Sequence, residues 1–150
     1  MKLEIKEFSK LSAEELFEIY KARVAVFVVE QNCPYQEIDD TDKRSFHIWL
    51  KDDDGKILSY LRLFRKDEET LQIGRVLSLK RRCGYAENVM RAALEKANEI
   101  SLADGKINEI YLEAQTYAVG FYEKFGFKSY GNDFFEDGIP HIRMRKILEN

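Results

Sequence analysis

One stretch, Leu71–Ala103, restricts the folds open to this chain more than any other. It begins with a mostly apolar run, Leu71–Leu79, in which Ile73, Val76, Leu77 and Leu79 read as a strand. A basic turn follows at Lys80, Arg81 and Arg82. Beyond Gly84, the residues Val89, Met90, Ala93, Leu94, Ala97 and Ile100 recur at helical spacing, which predicts an amphipathic helix from near Gly84 to Ala103. A strand that feeds a glycine-containing basic turn at a helix N-terminus is suited to anions. Unpaired N–H groups point outward there, the helix dipole favours negative charge, and a glycine lets the backbone approach closely. The expected ligand is a phosphorylated cofactor. The other reading of the same residues is a strand–turn–helix with a solvated basic corner.

The basic run matters because the chain as a whole is acidic, with a net charge of −3 over 150 residues. That balance argues against general nucleic-acid binding, and no aromatic-interleaved basic face accompanies Lys80–Arg82. The length and a 45% hydrophobic content suit one globular domain spanning 1–150. The only cysteines are Cys33 and Cys83, and MKLEIKEF lacks a signal-peptide pattern, so free thiols in a reducing cytoplasm are expected. No apolar run approaches the length of a membrane span. The two His and two Cys are scattered without metal-ligand spacing, and no metal is expected.

Alternation over Lys2–Phe8 reads as a first strand. Ser12 and Glu15 form a capping box before Leu16, Ile19, Tyr20, Val24 and Phe27, which recur at helical spacing. The β-branched stretch Val24–Val29 could end that helix early; on a continuing helix Arg23, Phe27 and Glu30 would share one face. An acidic loop follows, with Glu37, Asp39, Asp40 and Asp42. It reads either as an attractor of cationic substrates or as a solvated loop. Strands are expected at Phe46–Lys51 and Ile57–Arg65, joined by the hairpin turn Asp52–Gly55. A second turn, Lys66–Thr70, leads into the central strand. After the long helix, Glu109–Gln115 reads as a strand parallel to the central one. A short helix over Tyr117–Phe125 and strands at Phe127–Phe135 and Ile139–Ile147 complete the chain, with Asp137-Gly138 turning between the last two.

Neither GxxxxGK[ST] nor GxGxxG is present. Arg81-x-x-Gly84-x-Ala86 instead resembles the pyrophosphate loop of the GNAT superfamily of acyl-CoA-dependent N-acyltransferases. Phe121-Tyr122 and Gly126-Phe127 match that superfamily's "FYxxxGF"-like segment in order and spacing. Two further segments are similar to the ElaA-like branch: Arg23 with Val26–Gln31, Cys33-Pro34-Tyr35 and Asp39, and Glu136-Asp137-Gly138-Ile139-Pro140-His141-Ile142. The likeness spans about residues 12–147. Cys83, Ala86 and the bulky Tyr85 depart from the glycine-rich versions of the turn.

The resemblance implies an α/β (α+β) fold with a mixed, largely antiparallel sheet of about seven strands, splayed between strands 4 and 5 and flanked by helices. It implies acetyl-CoA as co-substrate, its pyrophosphate on the turn formed by Arg81, Arg82, Cys83, Gly84, Tyr85 and Ala86. Backbone groups of Val76, Leu77 and Ser78 would pair with its pantetheine arm. The acceptor implied is an amine, on a small molecule or a peptide, and a homodimer is compatible with the pattern. No activated nucleophile is evident, which favours direct attack on the thioester. Tyr122 is the expected acid, a phenol with pKa ~10 that is protonated at neutral pH; a core tyrosine at helical spacing is its other reading. Glu30 and His141 are candidates for holding or deprotonating the acceptor. Their structural readings are an Arg23–Glu30 pair and a hydrogen-bonding histidine. Arg23, Gln31 and Gln115 are the further substrate-side candidates. A non-catalytic acyl-CoA-binding or sensing module is the alternative function.

Overall fold

The computed structural model describes residues 1–80 and 83–148. The strands are β1 (Lys2–Glu7), β2 (Phe46–Lys51), β3 (Ile57–Arg65), β4 (Thr70–Ser78), β5 (Glu109–Gln115), β6 (Lys128–Glu136) and β7 (Ile139–Ile147). The helices are α1 (Ala13–Val24), α2 (Tyr85–Ala103) and α3 (Val119–Glu123). The strands form one mixed sheet in the order β1-β2-β3-β4-β5-β7-β6. β1 and β2, β2 and β3, β5 and β7, and β6 and β7 pair antiparallel, whereas β4 and β5 form a parallel ladder that joins Thr70–Gln72 to Glu109–Tyr111. A parallel pair needs a crossover, and α2 supplies it.

The backbone falls into two compact units. One comprises Met1–Phe64 and Arg75–Lys96; the other comprises Arg65–Gly74 and the chain from Ala97 onward. In the first, β2 pairs antiparallel with both β1 and β3, and the β2–β3 hairpin turns at Gly55, whose φ of 81° suits the Asp-Gly turn expected there. Ile19, Ala22, Phe27, Trp49, Ile57, Tyr60 and Leu77 make its core. In the second, β5 pairs along its whole length with β7, from Glu109↔Ile147 to Gln115↔His141. Ile110, Leu112 and Ala114 are buried as their alternation predicts. Tyr111 is buried as well, as a strand with neighbours on both sides requires. Asp137 and Gly138, with φ of 52° and 77°, turn the β6–β7 hairpin.

The capping box opens α1 as expected: Glu15 N–H donates to Ser12 Oγ over 3.1 Å, and Ser12 N–H to Glu15 Oε1 over 2.9 Å. The end of the helix differs from a continuing α-helix. From Ala25 to Glu30 the winding is π, with Gln31 N–H donating to Val26 O and Cys33 N–H to Val28 O, each five residues back. The wider turn accommodates the β-branched Val26, Val28 and Val29, and it rotates Glu30 away from the face that carries Arg23. Arg23 is fully buried whereas Glu30 is exposed. The Arg23–Glu30 pair, the structural one of the two readings of Glu30, is therefore corrected: Arg23 is bonded instead to Glu37, Asp42 and Tyr60. Where one short helix over Tyr117–Phe125 is expected, a 3₁₀ turn, Thr116–Ala118, precedes the short α3.

Candidate active site

The turn between β4 and α2 is described at Leu79, Lys80, Cys83 and Gly84. β4 ends at Ser78, whose hydroxyl donates to Lys80 O over 2.9 Å. Cys83 and Gly84 are exposed, and Tyr85 begins the 19-residue helix α2. Gly84 has φ of 75°, a left-handed conformation that a side chain at this position would strain. A Cβ there would meet nothing within 4 Å, so the torsion and not crowding demands the glycine. Ser59 Oγ donates to Tyr85 O over 2.7 Å, tying the first turn of α2 to β3. Tyr85 and Ala86 are half-buried, Val76 and Ser78 likewise, and Leu77 lies in the core. Arg81 and Arg82 lie outside the described residues. An exposed, left-handed backbone at a long helix's N-terminus fits a phosphate-bearing group.

Tyr122 sits on α3 with its ring edge-on to Phe121 and Phe127, at centroid distances of 5.2 and 6.2 Å. Its side chain is buried, yet no described residue hydrogen-bonds its hydroxyl. Burial, and secondarily the neighbouring Tyr117, push the phenol above its usual pKa, so it stays protonated. His141 is buried near the start of β7, stacked on Phe134 at 5.8 Å. Its Nδ1 lies 2.7 Å from Ile139 O. A carbonyl only accepts, so Nδ1 carries a proton. Nε2 lies 3.9 Å from Glu136 Oε2. Gln115, half-buried at the end of β5, stands opposite His141 in the ladder. Earlier on the same strand, Tyr111 donates to Glu113 Oε2 over 2.8 Å. Glu30 and Gln31 end the π segment, exposed and half-buried respectively.

The acidic loop is neither a free attractor nor a solvated run. Glu37 and Asp42 are buried, and three arginines hold the loop. All five N–H groups of Arg23 are engaged. Nε faces Glu37 Oε2 and Oε1 at 3.0 and 3.2 Å, Nη1 reaches Asp42 Oδ1 and Tyr60 Oη at 2.6 and 3.5 Å, and Nη2 reaches Glu37 O and Asp42 Oδ2, each at 3.1 Å. None remains for a substrate. Arg62 Nη1 joins Asp39 Oδ1 at 2.7 Å and Asp42 Oδ1 at 3.0 Å. Arg75 Nε lies 2.6 Å from Glu37 Oε2 as a close ion pair, and its Nη2 donates to Glu37 O over 2.9 Å. His47 Nε2 donates to Asp42 O at 2.9 Å, so its Nδ1 accepts from Tyr60 at 2.7 Å and the ring is neutral. Burial lowers its pKa accordingly. Burial alone would raise Asp42, but the Arg23 hydrogen bond, with Arg62 behind it, outweighs this and holds the carboxyl below its usual range. Asp40 is the exposed member of the run.

Arg75 also has φ of 54°, in mid-strand. Such a left-handed residue other than glycine costs about 1–3 kcal/mol. Sequence reading missed this, because Arg23, Arg62 and Arg75 come from three separate elements and nothing local links them to the loop.

Elsewhere in the first unit, Phe17, Tyr20, Lys21, Val24, Ala25 and Val29 line an open groove of about 490 Å³. None of the described turn residues lines it. Among the described residues, no group of three or more His, Cys, Asp or Glu could hold a metal ion. No described helix is long and apolar enough to cross a membrane.

Residues 8–148 match the family described as "Acetyltransferase (GNAT) domain". The chain belongs to the GNAT acetyltransferase family. Protein ElaA of Escherichia coli is 37% identical over 148 residues, covering 94% of each chain. A UPF0039 protein of Schizosaccharomyces pombe is 39% identical over 145 residues, covering 95% of each. Among solved structures, an acyl-CoA N-acyltransferase from Pseudomonas aeruginosa is similar with a TM-score of 0.87 at 35% identity, over 97% of this chain and 99% of that one. The E. coli ElaA crystal structure gives 0.85 at 33% identity, with the same coverage. This GNAT chain therefore matches those relatives across nearly their whole length, with the seven-stranded mixed sheet as its frame.

Proposed function

We propose that this GNAT protein transfers an acetyl group from acetyl-CoA to a primary amine by direct attack on the thioester. The observation that carries the reading is the left-handed, exposed Gly84 turn between β4 and the N-terminus of α2. The co-substrate's pyrophosphate is assigned to the backbone N–H groups of Cys83, Gly84, Tyr85 and Ala86, with the charges of Arg81 and Arg82. Its pantetheine amides are assigned to the backbone of Val76, Leu77 and Ser78, beyond the three-pair β4–β5 ladder.

The acyl acceptor must lose a proton before it attacks, and the departing sulfur must gain one or its equivalent. His141 suits the first task, since Ile139 O holds Nδ1–H and leaves Nε2 as the ring nitrogen that would take the proton. Tyr122 suits the second. Its phenol is buried and protonated, and the same burial raises the proton affinity of a thiolate forming beside it, which keeps the two groups matched. Glu30, with Gln31 and Gln115, is assigned to holding the acceptor. Arg23 has no part in that, for its donors are all committed. The neutralised loop also removes the case for a cationic acceptor drawn by Glu37–Asp42, leaving one amine as the minimal requirement.

The test is release of free thiol from acetyl-CoA in the presence of amines, polyamines, amino acids and peptides, with Tyr122→Phe as control. Turnover with one of these amines and its loss in the control support the assignment. Acetyl-CoA binding without turnover over the whole panel favours a sensing module instead.

A further inference from the structure

The acidic loop grips β4 at one residue, and that residue carries the strand's irregular backbone. Non-glycine residues with positive φ are Asn32, Arg75 and Asp137 among those described; Asp137 is in a hairpin turn and Asn32 follows a helical segment. Arg75 lies within a strand, where arginine has no intrinsic preference for the left-handed region. Its Nη2 donates to Glu37 O over 2.9 Å and to Asp39 Oδ2 over 3.4 Å, and its Nε makes a charge contact with Glu37 Oε2 without hydrogen-bond geometry. Tyr35 covers the guanidinium at 5.5 Å. Glu37 cannot yield, because Arg23 fixes the same carboxylate from the other side and the side chain is 2% exposed. The next three residues are Val76, Leu77 and Ser78.

We propose that Glu37 and Arg75 are positioning residues: their ion pair holds β4 in its left-handed kink and so sets the direction of the Val76–Ser78 backbone N–H and C=O groups. This rests on the reading that those groups bind the pantetheine of acetyl-CoA. Each residue's φ determines where the peptide groups after it point. A ligand recognised by backbone amides is then sensitive to a torsion one residue upstream. Arginine needs an external hold to keep this torsion, whereas glycine adopts it unaided.

That difference gives the test. Arg75→Ala, Arg75→Gly and the milder Glu37→Gln are made in the full chain. Acetyl-CoA affinity is measured by calorimetry, and the amide resonances of residues 76–78 are recorded without ligand. Arg75→Ala is expected to weaken acetyl-CoA by tenfold or more and to shift those resonances. Arg75→Gly is expected to recover affinity to within threefold of wild type although it too lacks the ion pair. Glu37→Gln should fall between, and it serves if Arg75→Ala does not fold. A role limited to stabilising the fold would make alanine and glycine equally harmful, and that result overturns the proposal. So does an alanine variant that binds like wild type with unmoved resonances. A wild type that does not bind acetyl-CoA overturns the premise instead, and is told apart because no variant is then needed to see it.

Discussion

Replacing Arg23 by Met removes a guanidinium with 0% exposure and leaves a hydrophobic chain of similar length in its place. The cluster it leaves was balanced, with Arg23, Arg62 and Arg75 against Glu37, Asp39 and Asp42. After the substitution one negative charge is uncompensated. Glu37 keeps Arg75 and Asp42 keeps Arg62, so neither carboxylate is orphaned, which places the cost at the lower end of the range for breaking a buried pair, about 3 kcal/mol. For a chain of this size that corresponds to roughly 6–12 °C in Tm. The assay is urea unfolding at pH 7 with linear extrapolation. Adding Asp42→Asn restores the charge balance, so the double variant should lose at least about 1 kcal/mol less than the two single losses added together. A single-variant loss below about 1 kcal/mol, the value of an exposed pair, refutes the reasoning. Strict additivity in the double variant does so too.

Tyr122→Phe should lower kcat by ~10²–10⁴ in single-turnover kinetics. It should leave Tm unchanged or slightly raised, because the lost hydroxyl has no described partner; a kcat within threefold of wild type makes Tyr122 a core residue. Gly84→Val forces a side chain into a φ of 75° and should weaken acetyl-CoA about tenfold, or about 1.4 kcal/mol. Unchanged affinity by calorimetry would remove the turn from the site. Stability should fall as the solution is acidified. His47 has its folded pKa lowered, so its contribution is present above its unfolded value, ~6.5, and is lost as pH drops below that. Asp39 and Asp42 are also lowered, and their contributions are lost below their unfolded value, ~3.9. Unfolding free energies that stay level from pH 7 to pH 3 contradict both assignments.

The elements were legible where one local signal decided them. Ser12 with Glu15 set the start of α1, Gly55 and Asp137-Gly138 set two hairpins, and the apolar alternation of Glu109–Gln115 set β5. The turn at Gly84 was legible because a left-handed residue beside a helix start leaves a glycine in the sequence. Arg75 shows the limit of that logic. Its positive φ is imposed by Glu37, 38 residues away, and an arginine inside a strand pattern gives no sign of it. The acidic loop was misread for a related reason: Glu37 and Asp42 look solvated until the burial of their arginine partners is known. The π winding was half legible. Its β-branched run signalled a disturbed helix, but a wider turn and an early stop have the same sequence cause.

The outer strands of the sheet bear on how this protein behaves in concentrated solution. The terminal strands in the order are β1 and β6. β1 carries Lys2, Glu4, Lys6 and Glu7 within six residues. β6 loses its register between Tyr130 and Phe134, where Gly131 has φ of 75°, and the exposed Phe135 is flanked by Glu136 and, two residues back, Asp133. A strand from a second molecule would find opposing charge along one margin and a bend along the other. Edge-to-edge stacking into fibrils is thereby disfavoured, and salt, which screens the charges of β1 but leaves the bend of β6 in place, should weaken only the first of these two barriers.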